Sequence, residues 1–211
     1  MKYIRKGKEP DSLTQHRAKG NLSYDDYREK DELRECLVKE QGYICCYCMQ
    51  RIKPHREKMR IEHWHPQSKP PDKQLDYRNM LGACTGNEGK PKVLHHCDKS
   101  RGEKTLTINP TNESCETLIK FSVSGKISSD NEQVNKDLNE TLNLNMESLI
   151  KIRKLVLDEA IKNFQKKHPV SQWTKEILER EISRWSSSSH GAYKPYCQIV
   201  IYYFQKKLSR R

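Results

Sequence analysis

The sequence predicts an α+β protein with a cysteine-rich core between a mainly helical N-terminal segment and a helical C-terminal extension. Five of the eight cysteines and five of the eight histidines lie between residues 43 and 104, together with many glycines and prolines. From about residue 133, apolar residues recur at steps of three or four, as on the buried face of a helix. These observations divide the chain into segments 1–42, 43–104 and 105–211.

Segment 1–42 is predicted to be a polar arm followed by a helix. Ser23 and Asp26 have the spacing of a capping box, which is typical of a helix N-terminus. Leu33 and Leu37 belong to an irregular apolar face, and Gly42 is expected to end the helix just before the first cysteines.

Segment 105–211 is predicted to be mostly helical and available for docking a partner. Its first part, 105–132, is rich in Ser and Asn and indicates a loop or a weak hairpin. Three helices are expected beyond it: one from about 133 to His168-Pro169, one through Trp173 and Trp185, and one carrying Tyr196, Val200, Tyr203 and Phe204.

The charge balance favours a polyanionic partner. The formal net charge is +12, and a basic surface binds nucleic acid by neutralising phosphates and releasing counterions. The same charge is compatible with a surface that only confers solubility or that faces an acidic protein. Only 34% of the residues are hydrophobic, so the core is lean, and a bound metal would compensate for it.

The sequence predicts a cytoplasmic protein without membrane contact. No apolar run approaches the roughly 20 residues that cross a bilayer. The basic start, MKYIRKGKEPDS, has no apolar stretch behind it and does not resemble a secretory signal. In a reducing compartment, clustered cysteines indicate metal binding more than disulfides.

The cysteine spacing predicts a structural zinc site. Cys45 and Cys48 form a C-x-x-C pair, whose thiolates can occupy adjacent corners of a tetrahedron. Cys84 and Cys97 are the natural second pair, although twelve residues separate them. Three alternatives remain open at this point, in which a neighbouring side chain replaces one of these ligands: His95, His96 or Cys46.

A carboxylate followed directly by a histidine predicts a hydrolytic site. Glu62 and His63 stand at the end of the strand expected over Lys58–His63, and Pro66 is consistent with the strand ending there. One group would hold a divalent ion, while the other would remove a proton from water.

The segment 43–104 resembles the HNH (ββα-metal) endonucleases. Their pattern runs C-x-x-C, [DE]-H-x-x-P, Asn, then a second cysteine pair followed by His, Asn or Asp. This chain has Cys45/Cys48, EHWHP from residue 62, Asn79, Cys84, and CDKSRG from residue 97. It departs from the family in the stretched spacing from Cys84 to Cys97 and in Asp98, which replaces the more familiar His or Asn.

The resemblance implies a role for each matching position. His63 would be the general base, Asn79 would orient it, and Glu62 and Asp98 would bind Mg²⁺ or Mn²⁺. Substrate contacts would come from three further side chains: His65, Lys99 and Arg101.

The whole chain also resembles the HNH subunits, called PtuB, of Septu-type anti-phage systems, some of which are associated with retrons. The resemblance rests on the start, the ICCYCMQRI and IEHWHPQS motifs and the terminal GAYKPYCQIVIYYFQKKL. It implies a PtuA-like ATPase partner and, in retron systems, a reverse transcriptase with its RNA and DNA. The expected function is endonucleolytic cleavage, with DNA favoured and RNA, including tRNA, as the other substrate. The alternative is a zinc module that binds nucleic acid or a partner without cutting.

Overall fold

The computed structural model describes residues 1–20, 23–66 and 73–210. It contains helices and two small antiparallel sheets. The strands are β1 (Arg60–His63), β2 (Met80–Ala83), β3 (Lys120–Phe121) and β4 (Ile127–Ser128). The helices are α1 (Asp11–Ala18), α2 (Lys30–Glu40), α3 (Asp98–Arg101), α4 (Ser114–Thr117), α5 (Glu132–Lys136), α6 (Glu147–Lys167), α7 (Lys175–Ser186) and α8 (Cys197–Leu208). The mixed helix-and-sheet class predicted from the sequence is confirmed.

The first hairpin stands at the centre of the cysteine-rich segment. β1 pairs with β2 in a register that sets Glu62 opposite Leu81, and all four residues of β2 are buried. The buried Gln41 side chain ties this hairpin to α2, because its amide exchanges hydrogen bonds with the backbone N–H and C=O of Gly82. Along the chain, β1 and β2 are followed by the short helix α3, which begins directly after Cys97.

The N-terminal segment forms two helices, and the second begins later than predicted. The Asp26 carboxylate accepts hydrogen bonds from the Ser23 amide and hydroxyl, which closes a local turn rather than a capping box. α2 begins only at Lys30. Gly42 follows the helix end with a φ of 61°, a left-handed conformation that glycine adopts at little cost.

The C-terminal half contains the predicted helices, but the first of them is interrupted. A π-helical turn (Asp137–Thr141) follows α5, and α6 starts only at Glu147. Asn143, with a φ of 48°, breaks the continuity between them. β3 and β4 form the weak hairpin expected within 105–132.

The buried core extends across all three sequence segments. It includes Met1 and Ile4 at the start, the cysteine cluster in the middle, and Phe204 in α8. Phe164, Trp173 and Phe204 form an aromatic group that joins α6 to α8. Among the described residues, no helix is both long enough and apolar enough to cross a membrane.

Candidate metal centre and catalytic cleft

Four buried cysteines form a potential metal centre. The Sγ atoms of Cys45, Cys48, Cys84 and Cys97 all lie within 4.8 Å of one another. Cys45 Sγ is 3.9 Å from Cys97 Sγ, and Cys48 Sγ is 3.8 Å from Cys84 Sγ. Four thiolates around zinc, at about 2.3 Å each, stand about 3.8 Å apart, whereas a disulfide joins sulfurs at about 2.05 Å. The cluster therefore suits a structural zinc ion, as the sequence predicts.

The backbone from Ile44 to Arg51 forms a tight turn, called the knuckle below, which holds the first two cysteines of the centre. Cys45 begins a tight turn in which its N–H donates to the Gln50 carbonyl, with Met49 in a left-handed conformation at a φ of 66°. The Cys84 N–H donates to Cys45 Sγ over 3.3 Å, a contact that favours a thiolate. Burial opposes ionisation of Cys45, but donation from the neighbouring thiols lowers its pKa well below the usual range.

The three alternative ligands predicted for the centre lie outside the group of four. Cys46 is buried and its thiol pKa is raised well above the usual value, chiefly by burial. The His95 ring contacts the Lys90 carbonyl at 2.8 Å. His96 stays close, with Nδ1 at 3.2 Å from Cys97 Sγ and 3.9 Å from Cys84 Sγ. This ring is a hydrogen-bonding neighbour of the ligands.

A small cleft brings together three of the four predicted catalytic residues. Glu62, His63 and Asp98 line a cavity of about 180 Å³, together with Pro66 and Glu103. Glu62 and His63 come from the end of β1, and Asp98 is the first residue of α3. Cys97 immediately precedes Asp98, so the four-cysteine centre places the start of α3 at the cleft.

The Glu62 carboxyl group is buried and strongly perturbed. Its Oε1 accepts a hydrogen bond of 2.6 Å from the Tyr47 hydroxyl and pairs with the Arg101 guanidinium. Burial raises the pKa of Glu62 well above its ordinary value, and the adjacent Asp98 carboxyl group raises it further. Arg101 and Tyr47 act in the opposite direction.

The His63 ring is oriented by a backbone carbonyl. Its Nε2 lies 3.0 Å from the Gln74 carbonyl oxygen, and a carbonyl only accepts, so Nε2 carries the proton. In the neutral ring, Nδ1 is then the basic nitrogen. Burial lowers the pKa of His63 and thereby favours the neutral ring. The edge of Tyr24 packs against it, with ring centroids 4.7 Å apart.

Asn79, the fourth predicted catalytic residue, organises the backbone beside the cleft. Its Oδ1 accepts from the His65 N–H at 2.6 Å. Its Nδ2 donates to the carbonyls of His65 and Lys73, each at 3.0 Å. Asn79 therefore holds the chain just after His63, while the direct contact to the ring comes from Gln74.

Of the three predicted substrate contacts, Lys99 and His65 are accessible. Lys99 is exposed, with Nζ 3.4 Å from a Glu88 oxygen. His65 is half-buried, and its ring stacks edge-on against Trp64.

Arg101, predicted to contact the substrate, is instead buried in the protein. Only 2% of it is exposed, and it donates to Glu62 and to the carbonyls of His63, Trp64 and Lys104. These donors all point into the protein, so Arg101 holds Glu62 and the end of β1 rather than an incoming phosphate.

Two residues at the cleft were not predicted from the sequence. Tyr47 lies between Cys46 and Cys48, and its place inside the knuckle was the only signal for it. Glu103 adds a third carboxylate to the cleft, and its position after a tight turn at Gly102 (φ 56°) carries no sequence motif.

The donor set of the cleft fits a hard divalent cation. Glu62 and Asp98 line the same cavity, and their carboxyl groups would repel each other if both were ionised, a repulsion that a shared cation would relieve. Oxygen donors of this type suit Mg²⁺ or Mn²⁺, whereas the four thiols suit zinc. Among the described residues, the four cysteines are the group of three or more side chains whose ligand atoms lie close enough to hold a metal ion, and Asp98 of the cleft directly follows Cys97.

No protein-family model matches the chain, and no curated protein matches it by sequence.

Proposed function

We propose that the chain is a metal-dependent endonuclease of the HNH, or ββα-metal, type. The observation that carries this proposal is the common cleft of Glu62, His63 and Asp98, in which a buried histidine lies beside two carboxyl groups. A nucleic-acid-binding zinc module has no need for a base next to paired carboxylates.

The residues of the cleft have distinct parts in the proposed reaction. His63 Nδ1 takes a proton from the water that attacks the phosphorus atom, while Nε2–H stays on the Gln74 carbonyl and fixes the ring. Asn79 keeps the backbone after His63 in place. Lys99 offers a positive charge to the phosphate backbone, and His65 offers a second polar contact.

Glu62 and Asp98 would hold the divalent cation, Mg²⁺ or Mn²⁺. When bound, such a cation supplies positive charge that stabilises the negative charge developing on the phosphate and the leaving oxygen. Tyr47 and Arg101 keep the Glu62 carboxylate in a single orientation for this purpose.

The resemblance in sequence extends the proposal to a biological setting. As in Septu-type systems, the chain would be the effector subunit of an anti-phage complex with a PtuA-like ATPase and, in retron systems, with a reverse transcriptase and its RNA and DNA. DNA is the favoured substrate, and structured RNA such as tRNA is the second candidate.

The test is a cleavage assay with the purified, zinc-loaded protein, alone and with its partner subunit. Supercoiled plasmid, single-stranded DNA and tRNA are incubated with Mg²⁺, with Mn²⁺, or with neither. We expect metal-dependent cleavage of at least one substrate, and a loss of about 10²–10⁴-fold in rate for His63→Ala.

His55→Ala is the matched control, because the exposed His55 lies in the same segment but outside the cleft. It should cleave at the wild-type rate. If the His63→Ala protein cleaves as fast as wild type, or if no substrate is cut under any condition, the nuclease proposal is wrong. Binding without cleavage would instead favour the non-catalytic zinc module.

A further inference from the structure

A basic groove with an apolar floor lies on the C-terminal helices, away from the residues of the catalytic cleft. It has a volume of about 820 Å³ and is bounded by α6, α7, the segment before α8 and residues 50–51 of the knuckle. Ile152, Val156 and Ala160 form its aliphatic floor, and their spacing of four residues puts them on one face of α6.

The charges around this groove are strongly unbalanced. Five cations line it, and within the described residues only Arg184 forms an ion pair, with Glu181; the other four are Arg51, Lys166, Lys167 and Lys194. Glu159 is the single acidic residue in the lining.

Two of these cations make their closest contacts with neutral groups. The Arg51 guanidinium donates to the carbonyls of Gly42 and Tyr43, at 3.2 Å each, and Lys194 Nζ lies over the Trp185 ring at 4.5 Å. Burial lowers the pKa of both side chains. An anionic group brought into the groove would therefore meet cations without an ion-pair partner, of which only Lys194 has a carboxylate nearby, that of Glu181.

The lining also indicates what kind of anion fits. The two aromatic side chains, Trp185 and Tyr196, are only 9% and 7% exposed, and Lys194 covers one face of Trp185. They offer no open ring on which a nucleic-acid base could stack. The aliphatic floor instead suits side chains such as leucine, and Ile152 is 37% exposed there. A second copy of this chain, with a net charge of +12, is a poor electrostatic match.

We propose that this groove binds an acidic, amphipathic segment of a partner protein, with aliphatic side chains on the floor and carboxylates against the basic rim. The groove shares no lining residue with the cleft of the proposed nuclease activity. The binding proposal therefore does not depend on whether the chain cuts nucleic acid.

The test is a fluorescence-anisotropy titration of the full-length, zinc-loaded protein with three labelled probes. The first is a 16-residue peptide of Leu, Asp and Glu with leucines at helical spacing. The second is a scrambled peptide of the same composition, and the third is a single-stranded dT oligonucleotide. We expect the amphipathic peptide to bind at least tenfold more tightly than its scrambled form.

Paired variants on α6 locate the binding. Lys166→Glu should weaken peptide binding about tenfold, whereas Lys162→Glu, the same change outside the groove, should have little effect. Ile152→Asn should weaken it as well, whereas Leu155→Asn, at a side chain that is 63% exposed outside the groove, should not.

All four substitutions are at exposed positions, and an unchanged melting temperature confirms that each variant folds. Three outcomes would overturn the proposal. The first is equal binding of the two peptides. The second is an equal loss of peptide binding in the groove variants and the control variants. The third is an oligonucleotide that binds more tightly than the peptide and whose binding is lost in Lys166→Glu and Ile152→Asn.

Discussion

At the scale of single residues, Glu62 is the most constrained side chain of the cleft. Tyr47 from the knuckle and Arg101 from α3 both bond its Oε1, and Asp98 lies beside it. A buried carboxylate with such partners is costly to disturb, because the loss of either partner leaves negative charge less compensated.

Tyr47→Phe tests whether the knuckle positions Glu62. The change removes one hydrogen bond to a charged group, so the free energy of unfolding should fall by about 1.5–3 kcal/mol. Zinc content should stay the same while the cleavage rate falls. Urea unfolding, zinc analysis and a cleavage assay measure these effects.

The matched control is Tyr43→Phe, since the Tyr43 hydroxyl makes no hydrogen bond within the described residues. Equal behaviour of the two variants would contradict the positioning role of Tyr47.

Arg101→Met should destabilise the protein by about 3–5 kcal/mol, because it leaves Glu62 buried without its cation. Lys120→Met, which breaks the exposed pair with Asp130, should have a much smaller effect, because solvent screens that pair. Denaturant unfolding of both variants gives the comparison. A cost for Arg101→Met as small as that for Lys120→Met would show that the buried pair does not hold the cleft together.

Residue types and spacing were sufficient to select Glu62, His63 and Asp98, which line one cleft. They were not sufficient for Arg101, since the sequence does not show whether an arginine beside a cleft points its guanidinium outward to a substrate or inward to the protein. The Gln74 carbonyl on His63 was also beyond prediction, because a backbone acceptor carries no side-chain signature.

At the scale of elements, short pieces of structure are held by contacts rather than by their own length. β3 and β4 have two residues each, and the hairpin docks on α6 through Gly125. The Arg153 Nε donates to the Gly125 carbonyl at 2.7 Å. A Cβ added at Gly125 would lie 2.2 Å from the Ile150 carbonyl oxygen, which is part of the α6 backbone.

Gly125→Ala should therefore lower the free energy of unfolding by about 2–4 kcal/mol, from its positive φ of 89° and from the clash. Gly191→Ala is the control, because Gly191 has a similar φ of 76° and open space around it. Thermal or urea unfolding of both variants separates the cost of the positive φ, which both share, from the cost of the steric clash, which only Gly125→Ala has. A cost for Gly125→Ala no greater than for Gly191→Ala would mean that the hairpin does not pack on α6.

The helical periodicity of apolar residues predicted the long C-terminal helices, because each of them buries one face over several turns. The start of α2 and the break before α6 were missed for a local reason. The Ser23 hydroxyl donates a hydrogen bond to the Asp26 carboxylate in a turn, so α2 begins later. Asn143 adopts a left-handed backbone conformation, which asparagine tolerates but which its presence in a sequence does not predict.

At the scale of the whole molecule, the four-cysteine centre lies inside the common core. It joins β2 and α3 to the knuckle, so a metal bound there would connect segments that are far apart in sequence. From the composition we expect a metal to contribute to folding, since only 34% of the residues are hydrophobic and the core is lean.

Cys84→Ser should abolish stoichiometric zinc binding and cause loss of cooperative unfolding, because three thiols hold the ion less well than four. Cys36→Ser should leave both properties intact, since Cys36 lies outside the centre. Metal analysis and a thermal melt provide the measurement. Full zinc content and an unchanged melt in Cys84→Ser would exclude Cys84 as a ligand.

The central claim is that Glu62 and Asp98 share a divalent cation beside His63. Its most direct test is a Mn²⁺ titration of the zinc-loaded protein, followed by electron paramagnetic resonance. We predict one Mn²⁺ site per chain, weakened at least about tenfold in Asp98→Asn and unchanged in Asp130→Asn, an exposed carboxylate elsewhere. No Mn²⁺ binding, or equal binding by wild type and Asp98→Asn, would contradict the claim.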